Sequence, residues 1–90
     1  MSAGPDTQLQ LFHAIADGGA SARVRRFVDA AGLLRQLEYR NVAYPEVLAD
    51  LRAHGGDEHT TPALWDGQRL VVGAAAVIAY LERRAWAQAR

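Results

Sequence analysis

Three places in this 90-residue chain carry residue types able to act on another molecule. The first is a glycine pair, Gly18-Gly19, followed by the hydroxyl of Ser21 and by Arg23, Arg25 and Arg26. A hydroxyl at the start of a helix has two roles open to it: N-cap of that helix, worth ~1 kcal/mol, or hydrogen-bond donor to a bound group. Arginines in the first turns of a helix oppose its dipole by ~0.3–1 kcal/mol at exposed sites. They are therefore placed either to meet an anion or to form ordinary surface pairs such as Arg25 with Asp29, four residues on. The second place is Thr61-Pro62, where an X-Pro bond invites a cis turn that shapes the backbone. The third is Gly73-Ala74, at the start of the last helical pattern, where N–H groups without side-chain help favour an anion.

Other chemistries lack their residues. The chain has no cysteine, and thiol–disulfide exchange requires a thiolate. His13, His54 and His59, even with Asp57 and Glu58 nearby, match no metal-ligand spacing. They are expected to be a packed strand histidine and two loop histidines, with no metal. No Ser-His-Asp or paired-carboxylate arrangement can be argued.

The elements that must position these residues follow from periodicity. Gln8–Ile15 alternates Leu9, Leu11, His13 and Ile15 with Gln10, Phe12 and Ala14, both faces largely apolar, as in a strand covered on two sides. Val24, Phe27, Val28 and Ala31 form one stripe of a helix that begins after Gly19, with Ser21 as candidate cap, and stops near Gly32. Leu37–Val42 reads as a second strand. Pro45 suits the first turn of a helix with Val47, Leu48 and Leu51 on its apolar face, ended by Gly55-Gly56. Asp66-Gly67 between Ala63–Trp65 and Arg69–Val72 is a strong hairpin signal. A third helix opens after Gly73. The order is β-α-β-α-β-β-α, an α/β fold in which right-handed crossovers make the first two strands parallel and the hairpin makes the last two antiparallel. The sheet is expected to be four-stranded and mixed, with helices on both faces. Residues 1–7 read as a disordered polar tail, 8–84 as the domain and 85–90 as an extension of the last helix.

Composition bounds the partners. Half the residues are hydrophobic and the formal net charge is zero, so no basic stripe points to nucleic acid or an anionic membrane surface. No apolar run approaches the ~18 residues of a membrane helix, and the first residues do not resemble a signal peptide. A soluble, cytoplasmic protein is expected. All ten cations are arginine, which with the abundant alanine suggests a GC-rich, bacterial gene.

About residues 8–84 resemble the amino-terminal, thioredoxin-like domain of glutathione transferases and, more distantly, glutaredoxins. Leu9-Gln10-Leu11-Phe12-His13 is similar to the Leu-Tyr-His opening of many transferases. Gly18 to Val28 resembles the Ser-Ser-x-x-x-Arg-Val-Arg stretch of the zeta class, the maleylacetoacetate isomerases, with Arg23-Val24-Arg25 in register. Pro62 to Gly67 and Ala76 to Glu82 resemble Pro-x-Leu-x-Asp-Gly and Ala-Ile-Ile-x-Tyr-Leu-Glu. The resemblance implies a cis Pro62 and a peptide-binding role for the backbone of Thr61. It also implies a glutathione site formed by Gly18, Gly19, Ser21, Arg23, Thr61, Pro62, Gly73 and Ala74. The family's side chains are missing from much of that site. The zeta serines fall on Gly18 and Gly19, the glutaredoxin nucleophile also on Gly18, and the Glu/Gln-Ser/Thr pair on Gly73-Ala74. The helical carboxy-terminal domain that builds the transferases' electrophile pocket has no counterpart in these residues.

The expected function is therefore a non-catalytic binding module for a peptide, a small anion (glutathione, weakly) or a protein partner. The alternative is a minimal transferase or isomerase in which Ser21 and backbone donors activate glutathione. The third helix carries Ala74, Ala75, Ala76 and Ala79 beside Val77, Ile78 and Leu81, apolar almost all round. With Trp86 it either packs on a second copy or partner, or Trp86 folds back on its own domain. For a chain without cysteine, a glutathione-coupled disulfide reductase assay on the purified protein should give the uncatalysed rate, and any excess that survives repurification overturns this.

Overall fold

A strand apolar on both faces has to be covered twice, and Leu9–His13 (β1) is. The computed structural model describes residues 9–89, with side chains through residue 87; the expected polar tail, residues 1–7, lies outside the described residues. β1 is flanked by a parallel strand β2 (Leu37–Asn41) and an antiparallel strand β3 (Ala63–Trp65), which pairs with an antiparallel edge strand β4 (Leu70–Val72). The strand order is β2-β1-β3-β4. Helices α1 (Ala20–Ala30) and α3 (Ala74–Ala89) cover one face and α2 (Pro45–Ala53) the other. This is the thioredoxin-like α/β arrangement, and among the described residues no helix is long and apolar enough to cross a membrane.

Each face has its own core. Leu9 and Leu11 of β1 and Leu64 of β3 meet Val24 and Val28 of α1 and Val77 and Leu81 of α3, all buried. On the opposite face Phe12 and Ala63 pack on Val47 and Leu51 of α2. That second core is edged by a ring stack, His54 lying 3.8 Å from Trp65 with the two ring planes nearly parallel. Arg40 sits over Phe12 and binds Gln10 at 2.8 Å and Asp50 at 2.6 Å.

The strand and helix ends depart from simple periodicity for specific reasons. β1 stops at His13 rather than Ile15, because the Ala14 N–H leaves the ladder and donates to the Ser21 hydroxyl at 3.0 Å. Ile15 is then 81% exposed. β2 stops at Asn41, whose side-chain oxygen accepts the Ala43 N–H at 2.9 Å in a local turn. α1 and α2 end in one and the same pattern. Leu33 N–H donates to Val28 C=O and Gly32 N–H to Asp29 C=O; Gly56 N–H donates to Leu51 C=O and Gly55 N–H to Arg52 C=O. These are Schellman closures. The first of them leaves Ala31 exposed at the helix end rather than in the apolar stripe, while Leu33 folds into the core.

The hairpin is tied twice. Asp66 accepts the N–H groups of Gln68 and Arg69, each at 2.8 Å, and the Tyr80 hydroxyl of α3 at 3.1 Å. On α3, Ala74, Val77 and Leu81 are buried, while Ala75, Ala76 and Trp86 are exposed, Trp86 to 64%. The helix is thus apolar all round in sequence but covered on one side within the domain.

Leu11 has no exposed surface, and truncating such a side chain costs about 2–5 kcal/mol. Leu11→Ala should lower the urea midpoint by that equivalent, whereas Val72→Ala, at a position 46% exposed on the edge strand, should change stability by about 0.5 kcal/mol or less.

Candidate functional site

Two of the residues singled out in the sequence, Ser21 and Thr61, come together around one that was not. The Asp17 carboxylate accepts the Ser21 N–H at 3.1 Å, the Ser21 hydroxyl in a very short hydrogen bond, and the Thr61 hydroxyl at 3.1 Å. It therefore joins the β1–α1 loop, the first turn of α1 and the segment before β3. The signal available in the sequence was an aspartate just ahead of a helix, a residue type that commonly binds early N–H groups. Next to two glycines it reads instead as part of a chain break.

Ser21 is at the expected place with a different role. The N-cap of α1 is Gly19, in the left-handed region at φ 86°, without a side-chain cap; its missing Cβ lets the chain enter the helix in that conformation. Ser21 lies inside the first turn and is fully buried. Its hydroxyl accepts the Ala14 N–H and donates a hydrogen bond to the Asp17 carboxylate. The expectation of Ser21 as N-cap is therefore corrected. Asp17 takes over the capping task because its longer reach spans from the loop back to the Ser21 N–H.

The Thr61–Pro62 peptide bond is cis. Pro62 is buried, and its carbonyl accepts the Gly73 N–H at 2.9 Å. Gly73, at φ 98°, turns the chain from β4 into α3, and its carbonyl accepts the first helical N–H, that of Val77, at 2.9 Å. Ser21, Asp17, Thr61, Pro62, Gly73 and Ala74 thus form one connected series. Thr61 stands outside the strand register, and among the described residues its N–H and C=O enter no turn or loop hydrogen bond. Gly18 and Gly19 are exposed beside it in sequence order with Asp17, and Arg23 is exposed on α1 with no contact joining it to the series among the described residues.

The electrostatics follow from these contacts. Burial pushes the Asp17 carboxyl up, but the hydrogen bonds from Ser21 and Thr61 outweigh it and hold its pKa below the ordinary value. Asp17 is an anion at neutral pH. Arg25 does not pair with Asp29; its guanidinium donates to His13 Nδ1 at 3.0 Å. Because arginine only donates, that nitrogen is an acceptor and His13 is neutral. Burial, then the Arg25 charge, lowers the His13 pKa against an upward pull from Asp17. His13 also meets Tyr39 edge-on at 5.4 Å. The three histidines go to separate surroundings, and among the described residues no three His, Asp or Glu side chains form a metal-sized group.

The chain matches no protein-family model and has no significant match among curated proteins. What is known of the site therefore rests on topology and geometry.

A carboxylate with a lowered folded pKa stabilises the fold above its unfolded value of 3.8, and that contribution is lost as pH falls through the folded value. Asp17→Asn should cost about 1–3 kcal/mol at pH 7, with the gap to wild type closing in urea titrations taken progressively below pH 3.8. An unchanged gap at pH 7 and in acid would separate Asp17 from the stability of this corner.

Proposed function

We propose that this protein is a thioredoxin-like binding module of the glutathione-transferase amino-terminal type, without the family's catalytic side chains, which takes a peptide main chain against Thr61. The observation that carries this reading is the state of Thr61. Its side chain is held by Asp17, and its own N–H and C=O stand outside the turn and loop hydrogen bonds of the described residues. An extended peptide laid alongside would supply one acceptor and one donor, as a strand does at a sheet edge.

Several features favour binding over catalysis. The Ser21 hydroxyl is buried and donates its hydrogen bond to Asp17, so a thiolate would have to displace an anion to receive that bond. The Asp17 charge beside Thr61 also disfavours anionic ligands, although the amino-terminal N–H groups of α3 at Ala74 and Ala75 attract them. A peptide main chain suits this balance better than a small anion. Glutathione, which presents both, is a weak ligand of the same site. The exposed Ala75, Ala76 and Trp86 of α3 are the surface for a protein partner or a second copy in this reading.

Glutathione titrated into labelled protein should shift the amides of Thr61, Gly73 and Ala74 with a Kd on the order of millimolar, about 4 kcal/mol of binding. Absence of saturable shifts at those three residues, for glutathione and for an unstructured neutral peptide alike, overturns the reading.

A further inference from the structure

Between the β3–β4 hairpin and the outer side of α3 lies a hollow of about 310 Å³, lined by Arg69, Leu70 and Val71 on one side and by Ala76, Ala79, Tyr80 and Arg83 on the other. A second, of about 300 Å³, shares Arg69, Tyr80 and Arg83 and adds Arg84. None of these residues belongs to the Thr61 series.

The groups around this double hollow are held in place from behind. Asp66 receives the Tyr80 hydroxyl and the Arg69 main chain, and the Arg69 guanidinium lies 5.8 Å over the Tyr80 ring, 3.9 Å from the Asp66 carboxylate. The Nε of Arg84 is buried and, among the described residues, has no hydrogen-bond partner. A buried donor of a charged group left unmade is costly, and the Arg84 side chain lines the second hollow. Among the described residues, Arg83 makes no ion pair within 4 Å, although Glu82 lines the neighbouring hollow with it.

We propose that this hollow between the hairpin and α3 is a binding site for a phosphate monoester, the phosphate held by Arg83, Arg84 and Arg69 and the organic part resting on Val71, Ala76 and Ala79. Charge selects the class. Three guanidinium groups and no carboxylate line the two hollows, Asp66 standing behind Arg69 and Glu82 in the next hollow beside Arg83, and a monoester phosphate of about −1.5 to −2 at pH 7 meets more of that charge than a singly charged anion does. Guanidinium forks also match phosphate oxygens in pairs. The alanines matter for the rest of the ligand, because small side chains at 76 and 79 leave room above the helix where larger ones would fill it.

Phenyl phosphate is the probe, titrated into the full chain at constant ionic strength set with sodium chloride, with benzoate and inorganic phosphate as comparators. The expected result is saturable amide shifts confined to the segment around Arg69–Val71 and to Ala76–Arg84. Phenyl phosphate should bind more tightly than either comparator. Arg83→Gln, an exposed position, should weaken it about tenfold, and Arg84→Gln likewise. Arg26→Gln, on α1, is the charge-matched control and should leave it unchanged. Shifts that do not saturate, or equal weakening by Arg26→Gln and Arg83→Gln, overturn the site as mere counter-ion attraction. Saturable shifts at Thr61 and Ala74 instead overturn it while leaving the peptide-site reading intact.

Discussion

One carboxylate holds the candidate site together. Asp17 draws three donors from two distant parts of the chain: the main-chain and hydroxyl donors of Ser21, and the hydroxyl of Thr61. A carboxylate partly removed from water is expensive unless its oxygens are hydrogen-bonded, and bonds to an ion are stronger than neutral ones. The three donors offset that cost together, so the corner is ordered as a unit. Once Asp17 is placed, so are the end of β1, the entry to α1 and the Thr61–Pro62 segment. The Thr61 side chain is anchored on Asp17, while its main-chain groups enter no turn or loop hydrogen bond among the described residues.

Asp66 does the same work at the other end of the sheet. It closes the hairpin through the Gln68 and Arg69 N–H groups and reaches across to Tyr80 of α3. Burial raises its carboxyl, and those hydrogen bonds bring the pKa below the ordinary value, as at Asp17. The two aspartates leave different surroundings. Beside Asp17 no guanidinium makes an ion pair among the described residues, and its charge meets the amino-terminal end of α1 at the Ser21 N–H. Around Asp66 the guanidinium groups outnumber the carboxylate, so that surface is positive. A domain with a formal net charge of zero therefore presents two chemically distinct faces.

The Ser21 hydroxyl illustrates how a residue type at the right spacing differs from a residue with a free function. A serine near the start of a helix suggests either capping or donation to a ligand. Here it does neither. It bridges Ala14 and Asp17, ending the first strand and steadying the first helix with one oxygen. Catalysis by that hydroxyl would require it to leave two partners inside a fully buried position.

Much of the fold was legible in local pattern. The doubly apolar Leu9–Phe12 run specified a covered central strand, Asp66-Gly67 a hairpin, Pro45 a helix start, and Gly32 and Gly55 helix ends, because each depends on backbone preferences within a few residues. The absence of cysteine was equally plain from composition. The polar partnerships were not legible. Asp17 and Thr61 are 44 residues apart, and Arg25 chose His13, twelve residues back, over the nearby Asp29. Arg69 and Tyr80 meet only because the hairpin folds onto α3. Periodicity states which face of an element is apolar, but a side-chain hydrogen bond depends on which strand lies beside which and on how each helix crosses the sheet. Those relations exist only once the β2-β1-β3-β4 order is assembled, and with them came both the anchored Thr61 and the arginine-lined hollow.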